Sequence, residues 1–223
     1  MVAHVGPLVL FFLFLVVTPA VRSPGSASVW LRAPEYWVYP LQAVVCLAAL
    51  AIWWRHYRFD PRASALLTGV LAGFLALGIW IVPQMLMGTA PRTGEGFDPT
   101  PLLERPELYW SVLAGRFLRL VVAVPFVEEI FWRGFLLRYL TPAGERDFAR
   151  ARFAFTPLSF GAVALLFMLE HNRPDWPAAL VVGALYNALA IRTQSLGACV
   201  LAHAVTNAGL GVYVLATRQW GFW

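Results

Sequence analysis

Apolar runs too long and too numerous for one water-soluble core divide this chain: Val5–Val21, Tyr36–Trp54, Ser64–Met87, Leu108–Leu140, Phe155–Glu170, Ala178–Ile191 and Ser195–Thr217. A helix rises about 1.5 Å per residue, so about 20 apolar residues cross the roughly 30 Å of bilayer hydrocarbon. Lipid offers the backbone no hydrogen-bond partners, so such runs must satisfy their own as helices. The expected fold is therefore all-α: a polytopic transmembrane helix bundle of about seven spans, six to eight, forming one integral membrane domain over residues 1–223. Composition agrees, with 60% hydrophobic and only 13% charged residues, where a soluble domain carries about a quarter charged.

The connections set the details. Val5–Val21 reads either as a retained first helix or as a signal peptide ending in Thr18-Pro19-Ala20. No Lys or Arg precedes the run, which favours the helix. Residues Gly88–Pro106, with Glu95, Asp98 and Glu104, form the longest polar connection. Leu108–Leu140 is longer than one span needs, at about 50 Å as a single helix. With Arg116 and Arg119 early and Pro125 central, it reads as an interfacial stretch, a bend near Pro125, and a spanning part. Placing the N-terminus in the cytoplasm puts eight arginines inside (55, 58, 62, 138, 146, 150, 152, 192) and six outside (22, 32, 92, 105, 173, 218), a weak bias toward that orientation. The net charge of +5 is scattered over loops with no basic stripe, so nucleic acid is not an expected partner. All 17 basic residues are arginine, a composition of GC-rich bacterial genomes, and a bacterial cytoplasmic membrane is the expected location. Cys46 and Cys199 lie in separate apolar runs and form no CxxC or disulfide framework.

Ionisable residues inside such runs are expensive and mark function by default. "VPFVEEIFWRGF" places Glu128, Glu129 and Arg133 in one helix. Glu129 and Arg133, four apart, share a face and can pair, while Glu128 points about 100° away. Two adjacent carboxylates in different surroundings divide naturally into a spectator and a working base. The plain alternative has both glutamates paired with arginines such as Arg119 or Arg133. "FMLEH" sets Phe167 and His171 four apart, with Glu170 either orienting the histidine or being an unrelated surface acid. "HAVTN" sets His203 and Asn207 four apart on a small-sided helix suited to close packing, where they are either site residues or interhelical hydrogen-bond glue.

Together "EEIFWR", "FMLEH" and "HAVTN" match EExxxR, FxxxH and HxxxN, and the chain resembles the CPBP family: CAAX prenyl endopeptidases of the Rce1 type, bacteriocin-processing or immunity (Abi) relatives, and bacterial C-terminal-sorting (myxosortase-like) proteases. The resemblance covers about residues 108–217. It implies a glutamic-type intramembrane endopeptidase with Glu128 as general base, His171 assisting it, and His203 with Asn207 stabilising the oxyanion. Glu129 and Arg133 would hold the site together, with Phe167 as the other motif position. It also implies a catalytic four-helix core at 107–217, with 1–106 as peripheral N-terminal helices and a polar loop. The chemistry is coherent, since amide hydrolysis needs a base and hydrogen-bond donors where the oxyanion develops; a neutral imidazole N–H and an amide NH₂ would supply the donors. No serine or cysteine sits in a nucleophile motif.

Expected partners are the lipid bilayer and a membrane-tethered protein or peptide cut near its C-terminus. No cofactor is expected. The alternative zinc site would draw Glu128, His171 and His203 from separate helices without an HExxH motif. Two non-proteolytic alternatives are an immunity or scaffold protein of the same fold and a proton-relaying transporter, though the latter usually shows two related halves, which are not apparent here.

Overall fold

The structure is a computed structural model that describes every residue except Gly88, Thr89, Gly94, Glu95 and the Met87 side chain. Gly88 and Glu95 of the long polar connection thus lie outside the described residues. Each apolar run forms a helix: α1 (Val2–Val21), α2 (Glu35–Ile52), α3 (Ala63–Met87), α4 (Pro106–Leu137), α5 (Pro157–Leu169), α6 (Trp176–Thr193) and α7 (Leu196–Thr217). Among the described residues five helices, α1 to α4 and α7, are long and apolar enough to cross a membrane. At 13 residues α5 is the exception in length, reaching only about 20 Å. It and α6 form an antiparallel pair within the bundle, joined by a tight turn at residues 170–175.

Local signals fix the ends. Pro157 occupies the first turn of α5, where its missing N–H leaves nothing unsatisfied. Thr156 and Ser159 cap each other: Thr156 Oγ1 accepts from the Ser159 amide at 3.0 Å and Ser159 Oγ accepts from the Thr156 amide at 3.3 Å. Between α6 and α7 the chain reverses through Gln194 in the left-handed region, φ 52°, and Ser195 Oγ accepts from the Ala198 amide at 3.2 Å to start α7.

An extensive, close helix contact joins α3 to α7. Gly69 and Gly73 form a GxxxG step whose missing side chains admit the α7 backbone: a Cβ at Gly69 would lie 2.5 Å from the Ala198 carbonyl oxygen, and one at Gly73 2.6 Å from that of Ala202. Hydrogen bonds from side chains to backbone tie α1 into the bundle, with Gln42 Nε2 donating to Phe11 O at 2.7 Å and Tyr57 Oη to Ala3 O at 2.6 Å.

Around Pro125, where a bend is expected, α4 changes register. Residues Leu118–Ala123 are π-helical, as are Trp132–Leu137, and π turns in α-helices are recurrent at functional sites. In this register the Val124 N–H donates to Arg119 O. The next donor in line would serve Leu120 O, but it belongs to Pro125, which has none. The Asn207 side chain fills that place, donating from Nδ2 to Leu120 O at 2.9 Å. A proline on α4 thus anchors one end of the HxxxN face of α7.

Candidate active site

Behind the site lies a buried ionic network. Glu129 and Arg133 are both 0% exposed. Glu129 Oε1 accepts from Arg133 Nη1 at 3.0 Å and from His203 Nδ1 at 2.9 Å. Arg133 also donates from Nε to Asn187 Oδ1 at 3.2 Å and from Nη2 to Gly183 O at 3.0 Å. Asn187 Nδ2 in turn donates to Phe160 O at 3.0 Å. The guanidinium lies over the rings of Phe167 and Tyr186, 4.8 and 5.3 Å from their centroids. One cation, one anion and four helices are thereby locked together, which satisfies the requirement that buried charges be paired and hydrogen-bonded. The expected pairing of Glu129 with Arg133 is present.

Glu128 is not part of this network. It forms no ion pair among the described residues, and its Oε2 is buried with no hydrogen-bond partner. The reading in which both glutamates are consumed by arginines therefore fails for Glu128; Arg119, the other candidate partner, instead donates to Gln42 Oε1 at 2.5 Å. Glu128 borders a cavity of about 430 Å³ whose wall also includes His171, His203, Asn207, Phe167 and Glu170.

His171 sits just beyond α5, and three contacts fix its ring. Nδ1 faces Phe167 O at 2.8 Å, and the ring packs on Phe167 and Trp80 with centroids 4.8 and 5.4 Å apart. A carbonyl only accepts, so Nδ1 carries the proton and Nε2 of the neutral ring is a free lone pair. The same logic places a proton on His203 Nδ1, which faces a carboxylate oxygen, so Nε2 carries an N–H for an oxyanion only when the ring holds a second proton. Asn207 spends one amide hydrogen on Leu120 and retains a second.

Glu170 is neither a surface acid nor the orienter of His171. Its Oε2 accepts from Trp132 Nε1 at 3.0 Å, its Oε1 has no partner, and it borders the same cavity as Glu128. Asn187, Tyr186 and Thr206 were also missed from sequence. Tyr186 Oη and Thr206 Oγ1 lie 2.7 Å apart, and Thr206 donates onward to Gly73 O or Ala202 O, each 2.9 Å away. Asn187 had a legible signal, a lone amide inside an apolar helix, which the motif spacing overshadowed.

Among the described residues no three His, Cys, Asp or Glu side chains converge as a metal ion requires. What the arrangement offers is an unpaired carboxylate beside imidazole lone pairs and an amide donor in a partly enclosed space. Residues 110–209 match the family model described as Type II CAAX prenyl endopeptidase Rce1-like. No curated protein and no solved structure matches the chain.

Proposed function

From the match of residues 110–209 to the Rce1-like model and the geometry of the cavity, we propose that the chain hydrolyses a peptide bond near the C-terminus of a membrane-tethered protein or peptide, using water activated at Glu128. The observation that carries this reading is the unequal treatment of two adjacent glutamates: Glu129 is bound by Arg133 and His203 and lies behind the cavity, whereas Glu128 forms no ion pair among the described residues and borders the cavity.

In this mechanism Glu128 takes a proton from water while His171 Nε2 holds the water's other hydrogen. The oxygen attacks the scissile carbonyl carbon, and the C=O π electrons pass to the carbonyl oxygen. That oxyanion receives the spare Asn207 amide hydrogen and, from His203, an Nε2–H. Because His203 Nδ1–H is already directed at Glu129, the His203 donor is an imidazolium, its charge offset by Glu129. Glu128 then passes its proton to the departing amine, the C–N bond breaks, and no acyl-enzyme forms. Such preorganised donors in a water-poor site commonly supply the largest share of stabilisation.

A bacterial cytoplasmic membrane is the setting we favour, supported by the all-arginine composition. C-terminal sorting segments of surface proteins are one substrate class that fits it. The test is to reconstitute the protein in liposomes with membrane-anchored polypeptides bearing C-terminal tags, and to compare it with Glu128→Ala and His171→Ala. Cleavage by the parent alone is expected. Equal cleavage by all three would remove both residues from the mechanism, and cleavage lost on chelation and restored by zinc would favour a metal-dependent variant.

A further inference from the structure

The cavity that holds Glu128 has a second charged feature, which the hydrolytic mechanism does not use. Arg116 and Arg119, one turn apart on α4, both border it and are both buried, 3% and 7% exposed. Neither is ion-paired with a carboxylate among the described residues. Glu35, an acid whose charge reaches Arg116, is already bound to Arg22 at 2.9 Å. Arg119 donates from Nε to Gln42, whereas Arg116 Nε is buried with no hydrogen-bond partner. Aromatic rings support both guanidinium groups: Tyr39 lies 5.1 Å from Arg116 and 4.2 Å from Arg119, and Trp223 lies 5.3 Å from Arg116. Ring faces hold a cation in place without neutralising it, and although Tyr39 also hydrogen-bonds to the Arg116 side chain, Arg116 Nε stays open.

Two buried cations that form no ion pair are an incomplete arrangement even with Glu128 on the same cavity, because a buried charge is strongly disfavoured unless paired. The planar forks of two arginines match a carboxylate, which can accept bidentately. We propose that Arg116 and Arg119 form the subsite that binds the α-carboxylate of the substrate's C-terminus. The distance to Glu128 then sets where the chain is cut, and this part of the inference rests on the reading of Glu128 as the base. Glu128 follows Arg119 by nine residues and Arg116 by twelve. Helical rise makes that separation roughly 14–18 Å, or about four to five extended residues. The product is a short C-terminal peptide of that length, and the substrate is a polypeptide with a free, unamidated end.

Binding is measured on the full chain carrying Glu128→Gln, so that nothing is hydrolysed, in phosphatidylcholine nanodiscs. The probe is a hexapeptide of Ala, Val and Leu, dye-labelled at its N-terminus and made as free acid and as C-terminal amide. The acid is expected to bind at least about tenfold more tightly, as the loss of charge-assisted hydrogen bonds predicts. Added Arg116→Gln or Arg119→Gln is expected to erase the preference, and the Lys counterparts to retain part of it. Equal binding of acid and amide, or no binding of either, overturns the proposal. So does displacement of the acid by phosphatidylglycerol doped into the nanodisc, which would assign the arginines to a lipid phosphate. The acid–amide comparison needs neither arginine altered, so a misfolded variant does not leave the question open. Because the base is absent throughout, this result and the hydrolysis test fail independently of each other.

Discussion

At the level of single residues, Glu128 and Glu129 differ only in which way they face, and that difference predicts opposite outcomes. Glu129→Gln removes the anion that balances the fully buried Arg133, leaving an unpaired charge, a loss of about 3–5 kcal/mol. Its unfolding midpoint in detergent should fall by many degrees. Glu128→Gln removes a carboxylate that forms no ion pair among the described residues and shares its cavity with Glu170, so the midpoint should hold or rise while cleavage drops by about 10²–10⁴, the usual contribution of a general base. The reverse pattern would exchange their roles. The Glu129–Arg133 pair was legible in the sequence because helix geometry alone brings i and i+4 together. That Arg119 takes Gln42 rather than Glu128, and that Trp132 takes Glu170, was not. Those partners lie on other helices, or 38 residues away in sequence, and periodicity does not encode which side chain of a neighbouring helix comes opposite.

Helices rather than side chains decide whether the HxxxN face reaches the cavity. Gly73→Leu would drive a branched side chain into the Ala202 carbonyl and the Val205 side chain. Overpacking of this kind costs about 1–3 kcal/mol or more. It should also lever His203 away from Glu129, reducing cleavage. Gly78→Leu on the same helix, with nothing within 4 Å of its would-be Cβ, is the control and should change neither. Cys199, fully buried one residue past Ala198, provides the readout: maleimide should label it faster in Gly73→Leu than in the parent or in Gly78→Leu. Pro125→Ala tests the other anchor of α7. It returns a backbone N–H that competes with Asn207 for Leu120 O, so Asn207 should be released and cleavage should fall while stability holds or improves. The apolar runs gave every helix of the bundle, since length and polarity are written in single residues. The π register of α4 was not legible: Pro125 signals a disturbance, but a kink and a register shift answer it equally well on sequence grounds.

Taken as a whole, the molecule ties its N-terminal half to the cavity more closely than the motif positions imply. The family match covers residues 110–209, and every motif residue lies within it. Yet Phe11 of α1, Tyr39 of α2 and Trp80 of α3 also wall the cavity. Phe11 additionally lies 4.9 Å from Arg119, and Trp80 packs against His171. Outward from these contacts α1 and α3 present large apolar side chains, such as Val16 at 74% and Leu67 at 62% exposed. Such surfaces suit lipid and would aggregate in water. If residues 107–217 were self-sufficient, the first three helices would be a lipid-facing jacket and could be removed. The contacts argue otherwise, because their removal strips the ring from Arg119, opens His171 to lipid, and exposes the Gly73 and Gly69 contact surface of α7. A 107–217 fragment in nanodiscs should therefore leave Cys199 reactive toward maleimide and cleave nothing. Co-expressed residues 1–106 should protect Cys199 and restore part of the activity. A fragment that shielded Cys199 and cleaved unaided would instead place the whole catalytic apparatus in the last four helices.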